Sequence, residues 1–163
     1  MTLGVVPTTR DHVLGHRAAV EAVAAEKLYL GRVTMPPFDP ENAFPLRQIA
    51  GGWPTYTALD GHSVVGWADI APSEIPECAH RGTLGMGLLP AYRGRGLGGA
   101  LLTECLRHAT RCGIESVELT VYTSNVAAVA LYRKFGFAEH GLIRDYRRVD
   151  GVRYDALLMS KAV

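Results

Sequence analysis

The sequence has no surplus of either charge. Against 17 Lys and Arg stand 16 Asp and Glu, a net charge of +1, so no overall field draws the chain to nucleic acid or to an anionic membrane. Any anion site has to be local. The chain lacks an apolar run of membrane-spanning length, and it lacks a basic stretch followed by an apolar signal core. A cytoplasmic protein without membrane partners is the expectation. Cysteine is scarce: Cys78, Cys105 and Cys112 are odd in number, and 163 residues, 48% of them hydrophobic, bury a core without disulfide staples. The three are read as buried thiols. Metal-ligand spacing is missing too, because His12 and His16 fall four apart on a helix with neither an intervening glutamate nor a third ligand. No internal repeat, low-complexity tract or linker divides the chain, so residues 1–163 are read as one domain.

The ordering of patterns gives an α/β chain with a mixed sheet. A short strand at Leu3 to Val6 precedes a helix that Thr9 can cap, with Val13, Leu14, Ala18, Val20 and Val23 on its apolar side as far as Lys27. Pro36, Pro37, Pro40 and Pro45 make residues 34–52 an irregular lid with at most a short helix near Leu46 to Ala50. Thr55 to Leu59 and Ser63 to Ile70 flank Asp60-Gly61, the signature of a type I′ hairpin. A strand from about Arg81 to Leu89 leads into a glycine-rich turn and a helix whose Leu97, Leu101, Leu102, Cys105 and Ala109 share one face, with Gly113 placed for a left-handed cap. Val117 to Tyr122 is the next strand and Asn125 to Phe135 the next helix. Phe137 to Val149 and Tyr154 to Met159 close the chain as a hairpin about Asp150-Gly151. Strand, turn, helix and strand form a right-handed βαβ unit, hence one parallel pair in an otherwise antiparallel sheet.

The turn Arg93-Gly94-Arg95-Gly96-Leu97-Gly98-Gly99 joins bare backbone, two guanidinium groups and a helix N-terminus without an Asp, Asn or Ser cap. The unpaired N–H groups of a first helical turn and the aligned peptide dipoles favour an anion there, and glycine lets a pyrophosphate approach the amides. Gly94-x-Gly96-x-x-Gly99, with Glu118 about twenty residues on, also fits a nicotinamide-dinucleotide fingerprint. Against it, Pro90 to Arg93 separates the glycines from the strand, Glu118 falls inside the next strand, and antiparallel elements come first.

Arg93-x-x-Gly96-x-Gly98 after Leu88-Leu89-Pro90, followed by Asn125-x-x-Ala128-x-x-Leu131-Tyr132 and Gly136-Phe137, resembles the GCN5-related N-acetyltransferases, from about Gly66 to the C-terminus. The resemblance implies that family's fold: a central, mostly antiparallel sheet with one parallel strand pair and helices on both faces. It also implies an acetyl-CoA-dependent enzyme with no metal. Arg93 through Gly98, with Gly99 adjoining, would hold the cofactor pyrophosphate. Met86, Gly87 and Leu88 would offer backbone to the pantetheine arm where two strands splay apart, and one of their N–H groups would polarise the thioester carbonyl. Asn125 and Tyr132 would face the cofactor. Independently of the family, seven residues on a helix are about two turns, or roughly 10 Å, so Asn125 and Tyr132 share a face. Asn125 also suits an N-cap, and Tyr132 a core position.

Transfer to an amine needs a neutral nucleophile and a protonated leaving thiolate. Tyr132 is the candidate acid, and Asp69, in Trp67-Ala68-Asp69-Ile70, the candidate base acting through water, with Glu118 and His80 as alternatives. Cys105 lies on an apolar helix face and Cys78 beside Glu77, which favours direct transfer over a cysteine adduct. The acceptor is expected to be a primary amine of an amino acid or derivative, or a peptide N-terminus. Trp53, Tyr56, Trp67, Phe38 and Tyr154 could wall its pocket, and Asp39, Glu41 and Asp155 could hold its ammonium. A non-catalytic acyl-CoA-binding module would use the same turn without needing Tyr132. Exposed sheet edges leave a homodimer open, with no interface specified.

Overall fold

β-Prone runs in the first half of the chain become four antiparallel strands in the computed structural model, which describes residues 2–163. Leu3–Pro7 (β1) pairs with Thr55–Asp60 (β2), β2 with Ser63–Pro72 (β3), and β3 with Arg81–Leu88 (β4). Ser116–Tyr122 (β5) lies parallel to β4, while Ala138–Val149 (β6) and Val152–Ala162 (β7) complete the order β1-β2-β3-β4-β5-β7-β6. This is the mixed, mostly antiparallel sheet that the βαβ pattern requires. The antiparallel pairing of β1 to β4 excludes a Rossmann arrangement, whose sheet is parallel on both sides of the nucleotide-binding strand.

The helices are Val13–Ala25 (α1), Phe44–Gly51 (α2), Leu97–Arg111 (α3) and Val126–Lys134 (α4). They cover both faces. Side chains alternate along β3, so Trp67 and its neighbours Ala68 and Ile70 emerge on opposite sides. Trp67 packs under Ala19, Val20 and Val23 of α1. Ala68 and Ile70 join Leu101, Leu102 and Cys105 of α3, and Val129 and Tyr132 of α4, in the larger core. Leu101 and Leu102 are wholly excluded from solvent, each contributing roughly 1.5–3 kcal/mol by burial. Gly87 opposes Trp67 in the β3–β4 register, and a Cβ there would lie 2.4 Å from the indole. Glycine lets the ring lie flat across β4.

Local differences from the expectation have simple causes. Asp60 pairs with Ser63, so the first hairpin turns on Gly61-His62, and only Gly61 has a positive φ, 59°. That fits type II′ rather than I′. At the last hairpin Asp150 and Gly151 are both left-handed, at φ 49° and 79°, as type I′ demands. Thr9 caps a single turn over Arg10–His12 that runs directly into α1, and the helix ends at Ala25, short of Lys27. Within the lid, α2 is longer than expected because Pro45 sits in its first turn, where its missing N–H costs nothing.

The seam between β4 and β5 is short. β4 and β5 pair only through Arg81↔Ser116, Gly82↔Val117 and Thr83↔Glu118. Beyond Thr83, β5 stays with β7 as far as Tyr122 while β4 runs on to Leu88 with no strand on that side. The sheet is split from one end.

Candidate active site

The glycine turn lies at the open end of this split. After a single turn at Pro90–Tyr92 the chain is extended at Arg93, then left-handed at Gly94 (φ 71°) and Gly96 (φ 82°), a region that costs L-residues about 1–2 kcal/mol. Gly96 caps α3 without any side-chain bond, and the first helix bond is from Ala100 N to Gly96 O at 3.1 Å. Among the described residues, none of the backbone N–H groups from Gly94 through Gly99 has a protein acceptor. No acid occupies the first turn, so the positive end of a 15-residue helix is open to an anion. Gly98 and Gly99 also let α4 come close: a Cβ on Gly98 would meet Leu131 at 3.3 Å, and one on Gly99 would meet Phe135 at 3.7 Å.

A cavity of about 330 Å³ runs from these amides into the split. Met86, Gly87 and Leu88 form its β4 wall; Arg93, Gly94, Gly96, Gly98 and Gly99 form its mouth; Asn125, Ala128 and Tyr132 form its α4 wall. The two helical positions seven apart do share a face. Asn125 is both cap and wall, since its side-chain oxygen accepts from Ala128 N at 3.3 Å. Tyr132 is 8% exposed, its ring packs 5.7 Å from that of Phe137, and burial pushes its phenol up to about 12. Among the described residues its hydroxyl has no hydrogen-bond partner.

Three turn residues stand differently from the expectation. Arg93 does not present a free guanidinium: Nη1 and Nη2 donate to Glu26 at 2.9 and 2.5 Å, Nε donates to Leu88 O at 3.0 Å, and the group lies 4.7 Å over the Tyr29 ring. Its charge is matched by Glu26, and its role here is to brace the turn against the end of α1. Arg95 lies over Tyr92, 5.4 Å from the ring, and does not line the cavity. Leu97 is buried in the core. What the turn offers an anion is therefore amides and a helix dipole, not paired guanidiniums. Tyr29 and Val23 line the cavity as well, and only their distant sequence positions hid them.

Asp69 lies opposite Gly85 in the sheet, its carboxylate 3.4 Å from where a Cβ of Gly85 would be. It alternates with Ala68 and so shares the α1 side with Trp67, off the cavity wall. Burial with no compensating donor pushes its carboxyl up from 3.8 to about 7. Glu118 instead pairs with Arg81 at the closed end of the split, and His80 is exposed there with its carbonyl accepting from Glu115 and Ser116. Among the expected acceptor groups, Tyr56 belongs to the α3 side through His108, Asp39 holds Glu41 N and Asn42, and Glu41 pairs with Arg10. Cys105 is buried with its thiol pushed up by burial, whereas Cys78 and Cys112 are half-buried rather than buried. Among the described residues no three His, Cys, Asp or Glu side chains converge as metal ligands would, and no helix is long and apolar enough to cross a membrane.

The state of Asp69 predicts a pH-dependent stability. With its folded value above 3.8, the native chain keeps a proton that the unfolded chain releases. The stabilisation is full below pH 4 and is lost as pH rises through 7, by about 4 kcal/mol. Asp69→Asn stays neutral, so it should melt with the wild type near pH 4 and well above it at pH 8. Parallel melts at both pH values would expose the opposite sign if the carboxylate were stabilised by a hidden donor.

The sequence pattern of the family described as Acetyltransferase (GNAT) family matches residues 17–137. The N-alpha-acetyltransferase RimI of Mycobacterium tuberculosis (strain ATCC 25618 / H37Rv) is 36% identical over 163 residues, covering 99% of this chain and 96% of that protein. The acetyltransferase of GNAT family from Streptococcus pneumoniae superposes with a TM-score of 0.91 at 26% identity, over 99% of this chain and 100% of that one. A phosphinothricin acetyltransferase (Pat) from Sinorhizobium meliloti, solved in complex with AcCoA, superposes with a TM-score of 0.87 at 23% identity, over 100% of this chain and 89% of that one, a likeness of fold.

Proposed function

The chain belongs to the acetyltransferase (GNAT) family, and from that premise we propose that it moves an acetyl group from acetyl-CoA directly to a primary amine of an amino acid or derivative, or of a peptide N-terminus. The enzyme class is acetyl-CoA-dependent N-acetyltransferase. The observation that carries the reading is a row of amides without protein acceptors, Gly94 to Gly99, at the mouth of a cavity whose α4 wall bears the unpaired hydroxyl of Tyr132. When bound, acetyl-CoA supplies the activated thioester. The relative named as an N-alpha-acetyltransferase supports the peptide option.

The residues divide the work. The Gly94 to Gly99 amides hold the diphosphate, and the open edge of β4 at Met86 to Leu88 receives an arm that carries its own amides. An N–H of that edge polarises the thioester carbonyl. Tyr132 keeps its proton at neutral pH and donates it as a hydrogen bond to sulfur. Asp69, near 7, is matched to accept a proton through water from an incoming ammonium. The half-buried and buried thiols Cys112 and Cys105 are held protonated by desolvation, in keeping with direct transfer.

Incubation with acetyl-CoA and a mixed panel of amines and peptides, read as free thiol, tests the function. Release that depends on an amine supports it, and cofactor binding without such release would leave an acyl-CoA-binding module. In an active pairing, kcat/KM is expected to rise with pH through about 7 and level off, because Asp69 works as the carboxylate. Asp69→Asn should lower the plateau and lose that limb, leaving only the ionisation of the amine, at about 8 for an α-amino group. An unchanged acidic limb in the variant would assign the base elsewhere.

A further inference from the structure

Arg147, on β6, is a buried cation that the reading above does not use. It is 8% exposed, and its guanidinium carbon lies 5.1 Å from the ring centre of Tyr122 and 5.0 Å from that of Tyr154. Nη1 donates to Lys27 O at 3.0 Å. Nε and Nη2 are buried and have no partner. Burying a guanidinium with two of its donor nitrogens unpaired is costly. The acids of β6 and β7 are committed elsewhere: Glu139 to Arg133, Asp145 to Arg148, and Asp155 to the N–H of Asp145.

The identity of the two free donors is informative. Nε–H and Nη2–H project in parallel from one edge of the guanidinium, with the spacing of the two oxygens of a carboxylate, which is the bidentate match arginine makes best. Nη1, on the other side, is fixed by the Lys27 carbonyl, and the two tyrosine rings hold the plane. The group is presented for a planar two-oxygen anion.

Arg147 does not line the cavity, but the groups that hold it adjoin residues that do. Tyr122 ends β5, and its carbonyl accepts from Asn125 N at 2.9 Å, the residue that caps α4 and lines the cavity. Lys27 follows Glu26, which grips Arg93, and precedes Tyr29, another cavity wall. Between α1 and α2 that segment has neither helix nor strand. We infer that Arg147 anchors a carboxylate of the acceptor, which makes the substrate an amino acid or a close derivative with a free carboxylate rather than a peptide N-terminus. The assignment rests on the acetyl-transfer reading of the adjoining cavity.

The test compares amino acids with their own carboxamides as acceptors, using wild type and Arg147→Gln with acetyl-CoA. Wild type should favour acids over matched amides by at least about tenfold in kcat/KM, mainly through KM, and Arg147→Gln should bring the ratio near one. If the Gln variant does not fold, Arg147→Lys, which keeps the charge and loses the parallel donor pair, should show the same collapse. Equal use of acids and amides by wild type overturns the inference and leaves acetyl transfer standing, as does a ratio that survives in a folded variant. If no amine is acetylated, it is the transfer reading that fails, and N-acetyl amino acids and their amides are then titrated in the presence of coenzyme A. Tighter binding of the acids to wild type alone upholds the subsite, and no difference overturns it.

Discussion

Replacing Tyr132 by Phe is expected to lower the rate of the chemical step by about two to three powers of ten while leaving affinity for acetyl-CoA within about twofold. The substitution is clean because among the described residues the hydroxyl has no hydrogen-bond partner, so its loss orphans nothing, and the ring that packs on Phe137 stays. With the phenol at about 12 and a thiol near 8.5, complete proton transfer from Tyr132 to sulfur is uphill by about 5 kcal/mol. Tyr132 therefore keeps its proton and would steady the leaving thiolate through a hydrogen bond, while the amine nitrogen, cationic once it has attacked, would release the proton that balances the charge on sulfur. The pH profile of the residual rate should keep the wild-type shape, because Tyr132 remains protonated throughout the working range. Single-turnover thiol release, with cofactor affinity measured separately, decides the point; full activity in the Phe variant would place the stabilisation of the thiolate elsewhere.

Gly98→Val should weaken acetyl-CoA binding about 100-fold, close to 2.7 kcal/mol, with little change in melting temperature. A side chain at this position points into the cavity: the atoms nearest its Cβ belong to Leu131, Met86 and Leu88, at 3.3, 3.7 and 3.8 Å, all of them cavity walls. The first of these distances calls for a shift of only a few tenths of an ångström by a leucine methyl, so the fold tolerates the change. The two added methyl groups stand in front of the first-turn amides and keep a diphosphate from reaching them. Titration of the variant with coenzyme A against wild type measures the effect. Undiminished affinity would remove the amides from the binding site.

What the sequence disclosed depended on range. Gly94 and Gly96 were legible because left-handed backbone is a local demand that glycine answers, and Asn125 and Tyr132 because helical periodicity joins residues seven apart. The parallel pair followed from the length of the crossover. The partner of Arg93 was not legible, since Glu26 lies 67 residues away and nothing near the turn announces it. The same holds for Arg147. Within Arg144 to Arg148 it looks like one more solvated charge, yet Arg148 is exposed while Arg147 is buried, a distinction set by strand alternation on either side of an irregular register between Ile143 and Arg147. The slip at Asp60 arose because Asp-Gly marks a turn without saying which of its four positions each residue takes.

The three rungs that join β4 to β5 also set the mechanics of the molecule. They are the sole ladder between a four-strand wing and a three-strand wing, so the sheet behaves like a book whose spine is bound along only part of its height. Each ladder bond forgone above Thr83 leaves out about 1 kcal/mol of stability, and the rest of the binding falls to the apolar packing around Leu101, Leu102 and Val117. A guest that inserted its own amides along β4 would finish the binding from within, stiffening the two wings against each other as it is gripped.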